Sequence, residues 1–108
     1  MACVAELMIL EIFEREDLVR RGAETGAYLK SRLEELRAHP SVGDVRGVGM
    51  VYAIDFVKNK ETKVRLGGKD APFTKTLQDE TMKRGLVTRI WDVLHVAPPL
   101  VITKEEVD

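Results

Sequence analysis

The dipeptide His39-Pro40 divides the sequence into a helical part and a part rich in strands. Before it, small and apolar residues recur at steps of four, three, four and three, the spacing of one helix face (Gly22, Gly26, Leu29, Leu33 and Leu36). A proline disfavours the α conformation of the preceding residue, so the helix is predicted to end here. Beyond it, β-branched residues punctuated by glycines predict two strands within residues 42–57, about 44–48 and 50–57.

Residues 1–37 predict two helices, or one helix with a sharp kink. A second apolar stripe lies upstream of the first (Val4, Leu7, Met8 and Ile12), and a polar run over residues 14–17 separates the two. Asp17 is the predicted N-cap of the second helix. Small residues, Gly22 and Gly26 among them, indicate the close approach of another element. Cys3 lies in the first apolar helix without basic neighbours, so a buried, inert thiol is expected.

The second half predicts shorter elements. Residues 59–63 form a polar turn by composition, and residues 66–72 form a loop. A short amphipathic helix is predicted over residues 73–84, with Gly85 ending it. Its inward residues are expected to be Phe73 and Leu77, with Met82 as a further candidate.

Residues 86–97 predict two more short strands, at 86–89 and 93–96, forming a hairpin around Trp91-Asp92. The pattern of residues 103–106, Thr-Lys-Glu-Glu, is a capping box that begins a helix, which is cut short at Asp108. The whole is expected to be one α+β domain, residues 1–108: a kinked helix pair, a mostly antiparallel sheet of about four strands, a further helix and a truncated last helix.

Composition excludes several classes of protein. Seventeen basic against eighteen acidic residues give a net charge of −1, without the concentrated basic face that nucleic acid or an anionic membrane would require. The apolar runs are far shorter than the roughly 18 residues of a membrane span. A single cysteine excludes an intramolecular disulfide, and the N-terminus carries no secretory signal pattern. A cytoplasmic location is therefore expected.

Few residues suggest chemistry. The run Arg46-Gly-Val-Gly49 lacks the third glycine of a dinucleotide loop and leads into a strand, so a tight bend or a bulge between strands is the better interpretation. His39 and His95 share no metal-ligand spacing, and no nucleophile lies near a base, so neither a catalytic nor a metal residue is predicted. Arg89 is a charge within a strand-like apolar run. It could form a surface salt bridge, or present a planar fork to a carboxylate.

Several separate blocks of the chain resemble one family. Residues 2–19 resemble the helix that follows the glycine-rich cofactor region of class III (ω-type) aminotransferases. Residues 26–36, 39–50 and 97–108 are similar, in order and spacing, to the C-terminal small domain of the same family. The resemblance implies a pyridoxal-phosphate protein of fold type I that works as a homodimer. Its reaction would move an amino group from an amine or amino acid to a keto acid or aldehyde.

The resemblance also implies where the chemistry lies. The Schiff-base lysine, the aspartate facing the pyridine nitrogen and the phosphate-binding residues would belong to a large domain preceding Met1. Lysines such as Lys30, Lys58 and Lys104 match no catalytic motif, and solvated lysines are poor nucleophiles. The 108-residue chain alone is therefore expected to be inactive and to hold no cofactor.

One functional residue carries over from the family, Arg89, at the position of a mobile arginine that pairs with the substrate carboxylate. The loop at residues 90–93 is about one residue shorter than the family's pattern, and Trp91 stands in place of a small residue. The expected partners are the aminotransferase large domain and a second copy of the chain. The alternative is a non-catalytic α+β interaction or oligomerisation protein derived from this domain.

Overall fold

A computed structural model describes residues 2–68 and 71–108 of the chain. The helices are α1 (Ala2–Arg15), α2 (Leu18–Glu35), α3 (Pro72–Lys83) and α4 (Lys104–Val107), and a 3-10 turn spans Leu36–Ala38. The strands are β1 (Val42–Val48), β2 (Val51–Asn59), β3 (Val64–Arg65) and β4 (Val93–Val96). The predicted α+β class, with two separate N-terminal helices, is confirmed. The short strand β3 was not predicted.

The sheet is antiparallel and centred on β2. This strand pairs with β1 on one side, and with β4 and β3 on the other. Val48 pairs with Val51, so Gly49 and Met50 form a two-residue turn between β1 and β2. Gly49 has a φ of 60°, a left-handed conformation that glycine adopts without strain. The interpretation of Arg46-Gly-Val-Gly49 as a tight bend between strands is therefore confirmed.

The hydrophobic core lies on one face of this sheet. Its buried members come from the strands and the segment before β4 (Val42, Val45, Ile54, Phe56, Ile90 and Leu94). Helix α3 covers them through Phe73 and Leu77, and the Phe73 ring centroid lies 5.6 Å from that of Phe56. Met82 is exposed, so its prediction as an inward residue was wrong. It follows Phe73 by nine residues, which at about 3.6 residues per turn puts it on the opposite face.

Helix α2 packs closely because of its glycines. A Cβ atom built on Gly26 would lie 2.4 Å from the carbonyl oxygen of Gly49, and one on Gly22 would lie 2.8 Å from Leu100 Cδ2. The predicted close approach of another element is confirmed at both positions. Leu29 is buried, but Leu36 is exposed although it was assigned to the same face. The reason is that the chain leaves the α-helical path at this residue to form the 3-10 turn.

Helix α1 is exposed over residues 3–11, is partly buried at Ile12 and Phe13 and, among the described elements, contacts α2 only. Cys3 is exposed, so the expectation of a buried thiol was wrong: an apolar stretch buries its residues only where a second element covers it. Asp17 does occupy the N-cap position of α2, but its backbone is left-handed and its side chain caps no backbone N–H. Its carboxylate instead accepts a hydrogen bond from Arg20 Nε at 2.5 Å.

Side chains occupy the edge of β1 that faces away from β2. The N–H of Val45 donates to the carboxylate of Asp44 at 2.9 Å, and the guanidinium of Arg37 donates to both the Val45 carbonyl and Asp44. At the register shift between Val42 and Asp44, Lys63 Nζ donates to the carbonyl of Gly43 at 2.7 Å. The hydrogen bond from Arg37 holds the pKa of Asp44 below its ordinary value.

The predicted turn and final helix are both present. Asn59 Oδ1 accepts from the backbone N–H groups of Glu61 and Thr62, which closes the turn after β2. Residues 66–68 and 71 lie outside helices and strands, as predicted, and residues 69–70 of that loop lie outside the described part. The Thr103 hydroxyl accepts from the N–H of Glu106, whose carboxylate accepts from the N–H of Thr103. In the described part of the chain, no helix is long and apolar enough to cross a membrane.

Candidate carboxylate-binding site

The segment from Gly85 to Asp92 is irregular, so the predicted strand at 86–89 was wrong. Only Ile90 forms a bridge, to Leu94, and it is an isolated one. Leu86 and Val87, whose strand propensity supported the prediction, are both exposed. Strand propensity measures how well a side chain fits a half-buried pleated surface, and no such surface covers these two residues.

One side chain of α3 replaces the missing strand partner. Gln78 Nε2 donates to the carbonyl of Thr88 at 2.6 Å, and Gln78 Oε1 accepts from the N–H of Ile90 at 3.0 Å. The two bonded groups flank Arg89 on either side. On the β4 side, the Thr88 hydroxyl donates to the carbonyl of His95 at 2.9 Å. Hydrogen bonds from Gln78 and Thr88 thus hold the backbone at Arg89 in place, although it does not belong to a strand.

The residues after Arg89 are also anchored. Ile90 is 2% exposed and belongs to the hydrophobic core. The hydroxyl of the buried Thr74 donates to the carbonyl of Trp91 at 3.4 Å. Asp92 Oδ1 accepts from the N–H groups of Gly67 and Gly68, each at 3.1 Å, which ties the segment to the loop after β3.

The Arg89 side chain projects from this anchored backbone into solvent. Its guanidinium carbon lies 5.0 Å from the centroid of the Trp91 ring, within the range of a cation–π interaction. Among the described residues no carboxylate lies within 4.0 Å of this guanidinium, so the salt bridge considered for Arg89 is not formed there. The five N–H donors of the guanidinium are therefore available to a ligand.

Two open cavities flank Arg89 and Trp91. One, of about 200 Å³, lies toward the sheet, and the other, of about 350 Å³, lies toward α3. The first is lined by Arg65, Arg89, Trp91, Asp92, Val93 and His95. The second is lined by Thr74, Lys75, Gln78, Asp79, Arg89, Ile90 and Trp91. Each contains a second basic side chain, Arg65 or Lys75, and each is large enough for a small carboxylate.

The other residues considered from the sequence are not brought together. Lys30, Lys58 and Lys104 are exposed, and the Lys104 ammonium lies 5.3 Å from the centroid of the Tyr28 ring. These lysines do not fit a Schiff-base role, since nothing desolvates them. His39 Nδ1 accepts from the N–H of Ser41, and His95 lies on β4. No group of three metal-ligating side chains occurs among the residues that the structure describes.

The chain matches the family model of class-III aminotransferases over residues 1–108. It is 45% identical, over 93% of its length, to an uncharacterized aminotransferase of Sinorhizobium fredii. It is 37% identical, over 99% of its length, to the putrescine–pyruvate aminotransferase of Pseudomonas aeruginosa. A thermostable (S)-enantioselective omega-transaminase from Thermomicrobium roseum superposes on 98% of the chain with a TM-score of 0.85 and 34% identity.

The chain therefore belongs to the class III aminotransferases, a pyridoxal-phosphate-dependent family. It spans 22% of the length of the Sinorhizobium relative and 24% of the length of each of the other two proteins. The resemblance found in the sequence is thus confirmed at the level of the family.

Proposed function

We propose that this chain acts as the small domain of a class III aminotransferase, in which Arg89 binds the carboxylate of the substrate. The parent reaction would transfer an amino group from an amine or amino acid to a keto acid or aldehyde. The observation that carries the proposal is the state of Arg89: an exposed guanidinium on an anchored backbone, resting on Trp91 with no described carboxylate partner.

This arrangement suits a side chain that moves between two positions. With a carboxylated substrate, the guanidinium would leave the Trp91 ring and donate two parallel N–H bonds to the carboxylate oxygens. A cation–π interaction at an exposed site is worth only about 0.5–1 kcal/mol, whereas hydrogen bonds to charged groups contribute about 1.5–3 kcal/mol each. Exchanging the contact with Trp91 for hydrogen bonds to the carboxylate therefore favours binding of the substrate. With an amine that has no carboxylate, the guanidinium would stay on Trp91.

The Pseudomonas relative supports a need for both positions. The activity in its name pairs putrescine, a diamine without a carboxylate, with pyruvate, which has one. An enzyme of this kind must accept both molecules in one substrate site. We extend that alternation between carboxylated and carboxylate-free substrates to this chain.

The remaining requirements fall on other parts of the enzyme. Pyridoxal phosphate supplies the electron sink for amino-group transfer when bound, and we propose that residues outside this chain hold it. We further propose that the large domain and a second copy of the enzyme are the partners, and that the enzyme works in the cytoplasm. The 108-residue chain would contribute substrate recognition.

The test replaces Arg89 in a complete aminotransferase that carries this domain. Arg89→Ala and Arg89→Lys should raise KM for keto acids and amino acids by roughly ten- to a hundredfold, the size of one lost charged hydrogen-bond pair. Simple amines should be spared. Arg84→Ala is a matched control, because Arg84 is an exposed arginine of the same region that already pairs with Glu80. Equal losses for carboxylated and carboxylate-free substrates would show that Arg89 is structural.

An alternative is a non-catalytic interaction protein that has kept this fold. The observation in its favour is the apolar, exposed surface of α1, which could receive a partner. The mass of the protein in its native source separates the two proposals. A chain about four times as long favours the aminotransferase, and a chain of this length favours the interaction protein.

A further inference from the structure

Both backbone groups next to Arg89 are bonded to the same side chain, that of Gln78. We propose that Gln78 is a positioning residue. It fixes the backbone of residues 88–90, the root of the Arg89 side chain, and so sets the preference of the enzyme for carboxylated substrates. This inference rests on the proposed function of Arg89. It assigns to α3 a part in substrate selection that the resemblance did not include.

The geometry of the amide explains why a glutamine suits this position. In an extended segment, the carbonyl of one residue and the N–H of the residue two places later point to the same side. Thr88 and Ile90 are related in this way, and the Gln78 amide presents one donor and one acceptor to them. The side chain of Arg89, between them, is exposed and reaches the Trp91 ring. Gln78 thus takes the place of a neighbouring strand over residues 88–90.

The helix that carries Gln78 is packed on the hydrophobic core. It makes this contact through Phe73 and Leu77, and the hydroxyl of Thr81 donates to the Gln78 carbonyl. The root of Arg89 is therefore connected to the core by two short bonds. Motion is left to the side-chain torsions of Arg89, which carry the guanidinium between Trp91 and the adjacent cavity.

A loose root would reduce affinity for a carboxylate. It would spread the guanidinium over many positions, and the entropy lost on ordering it would then oppose binding. Amines without a carboxylate would not experience this loss, because they do not use Arg89. The expected effect of freeing the root is a rise of about five- to thirtyfold in KM for carboxylated substrates, with kcat for simple amines unchanged.

The experiment compares variants of α3 in a complete aminotransferase that carries this domain. Gln78→Met keeps the side-chain length and removes both hydrogen bonds. Gln78→Glu keeps the acceptor for Ile90 but places a negative charge against the Thr88 carbonyl. Both should raise KM for keto acids and amino acids. The control Thr76→Ala removes the hydrogen bond from the exposed Thr76 hydroxyl to the Pro72 carbonyl in the same helix, and it should not raise KM.

A second measurement does not depend on activity. In the 108-residue chain, amide hydrogen exchange at Ile90 should accelerate at least tenfold in Gln78→Met, since its N–H loses its acceptor. Exchange at Ile54, in the core of β2, should not change. If Gln78→Met does not fold, Gln78→Ala, which also leaves the Ile90 N–H without its acceptor, gives the same readout.

The outcomes separate this inference from the proposed function. If Arg89→Ala raises KM for carboxylated substrates and neither Gln78 variant does, the inference is overturned and the proposed function stands. A rise for both substrate classes in the Gln78 variants would make Gln78 merely structural and would also overturn it. If Arg89→Ala itself changes nothing, the proposed function fails first. Support would include a double variant, Arg89→Ala with Gln78→Met, that is no worse than Arg89→Ala alone.

Discussion

Two consecutive helices use their apolar residues in opposite ways. Helix α1 is rich in large apolar side chains, yet Leu7 and Met8 are 61% and 58% exposed. Helix α2 carries more charged residues, yet it buries a continuous face made of two leucines and two glycines (Leu18, Gly22, Gly26 and Leu29). Burial therefore follows from the arrangement of residues on one face, and the total apolar content of a helix does not predict it.

The difference has a simple geometrical cause. The run Leu7-Met8-Ile9-Leu10 distributes apolar side chains around the helix, so one neighbour cannot cover them all. On α2, Gly22 and Gly26 leave room on one side for Leu100 and the turn at Gly49. A helix that is apolar on several sides is normally covered by more than one neighbouring element or chain. We infer that α1 is an interface helix.

The largest expected difference between the helices concerns leucine. Leu29→Ala should lower the free energy of unfolding by about 2–5 kcal/mol, because Leu29 is only 4% exposed and its removal leaves a cavity. Leu7→Ala should change it by less than about 0.5 kcal/mol. Denaturant unfolding of both variants measures the contrast. Similar losses for the two would show that α1 is part of the folded core in solution.

A smaller effect is expected from the glycines of α2. Gly26→Ala should destabilise the chain by about 1–3 kcal/mol, since the new Cβ meets the Gly49 backbone, which cannot move away easily. Gly22→Ala meets only the end of the Leu100 side chain, and a gain of about 1 kcal/mol in helix propensity offsets the adjustment. Thermal unfolding of the pair compares them. A Gly26→Ala variant as stable as Gly22→Ala would contradict the close packing described for α2.

The smallest change in stability, but a clear change in association, is expected on α1. We predict that the chain self-associates through this helix, and that Met8→Lys weakens the association by placing a charge in the exposed patch. Its free energy of unfolding should change by less than about 0.5 kcal/mol. Val19→Lys is the matched control, an exposed apolar position on α2. Sedimentation showing a monomer for the unchanged chain at high concentration would refute the prediction.

Sequence patterns predicted the elements whose signals are local. The helix face of α2, the turn at Gly49, the Asn59 turn and the Thr103 capping box each depend on residues a few positions apart, and all are present. Two of the predictions that failed depend on what covers a segment. Cys3 and Leu86 lie in apolar stretches of the sequence, but no other element covers them. Periodicity alone does not show whether a segment is covered.

The candidate site was predictable only in part. Arg89 could be singled out as a charge in an apolar run, and the family resemblance suggested its role, which stays a proposal. Gln78 could not be found in this way. It bonds to residues ten and twelve positions later, and the pairing arises because α3 lies across the segment before β4. No periodicity or motif encodes such a contact.

The side chains along the outer edge of β1 have a consequence for aggregation. An open strand edge attracts extended segments of other chains, and exposed N–H and C=O groups provide the template. Here Asp44 and Arg37 already occupy the N–H and C=O groups of Val45. A strand added at this edge would have to displace these charged side chains first. The chain can thus expose an apolar helix while the middle of this edge stays closed to the pairing that begins fibre growth.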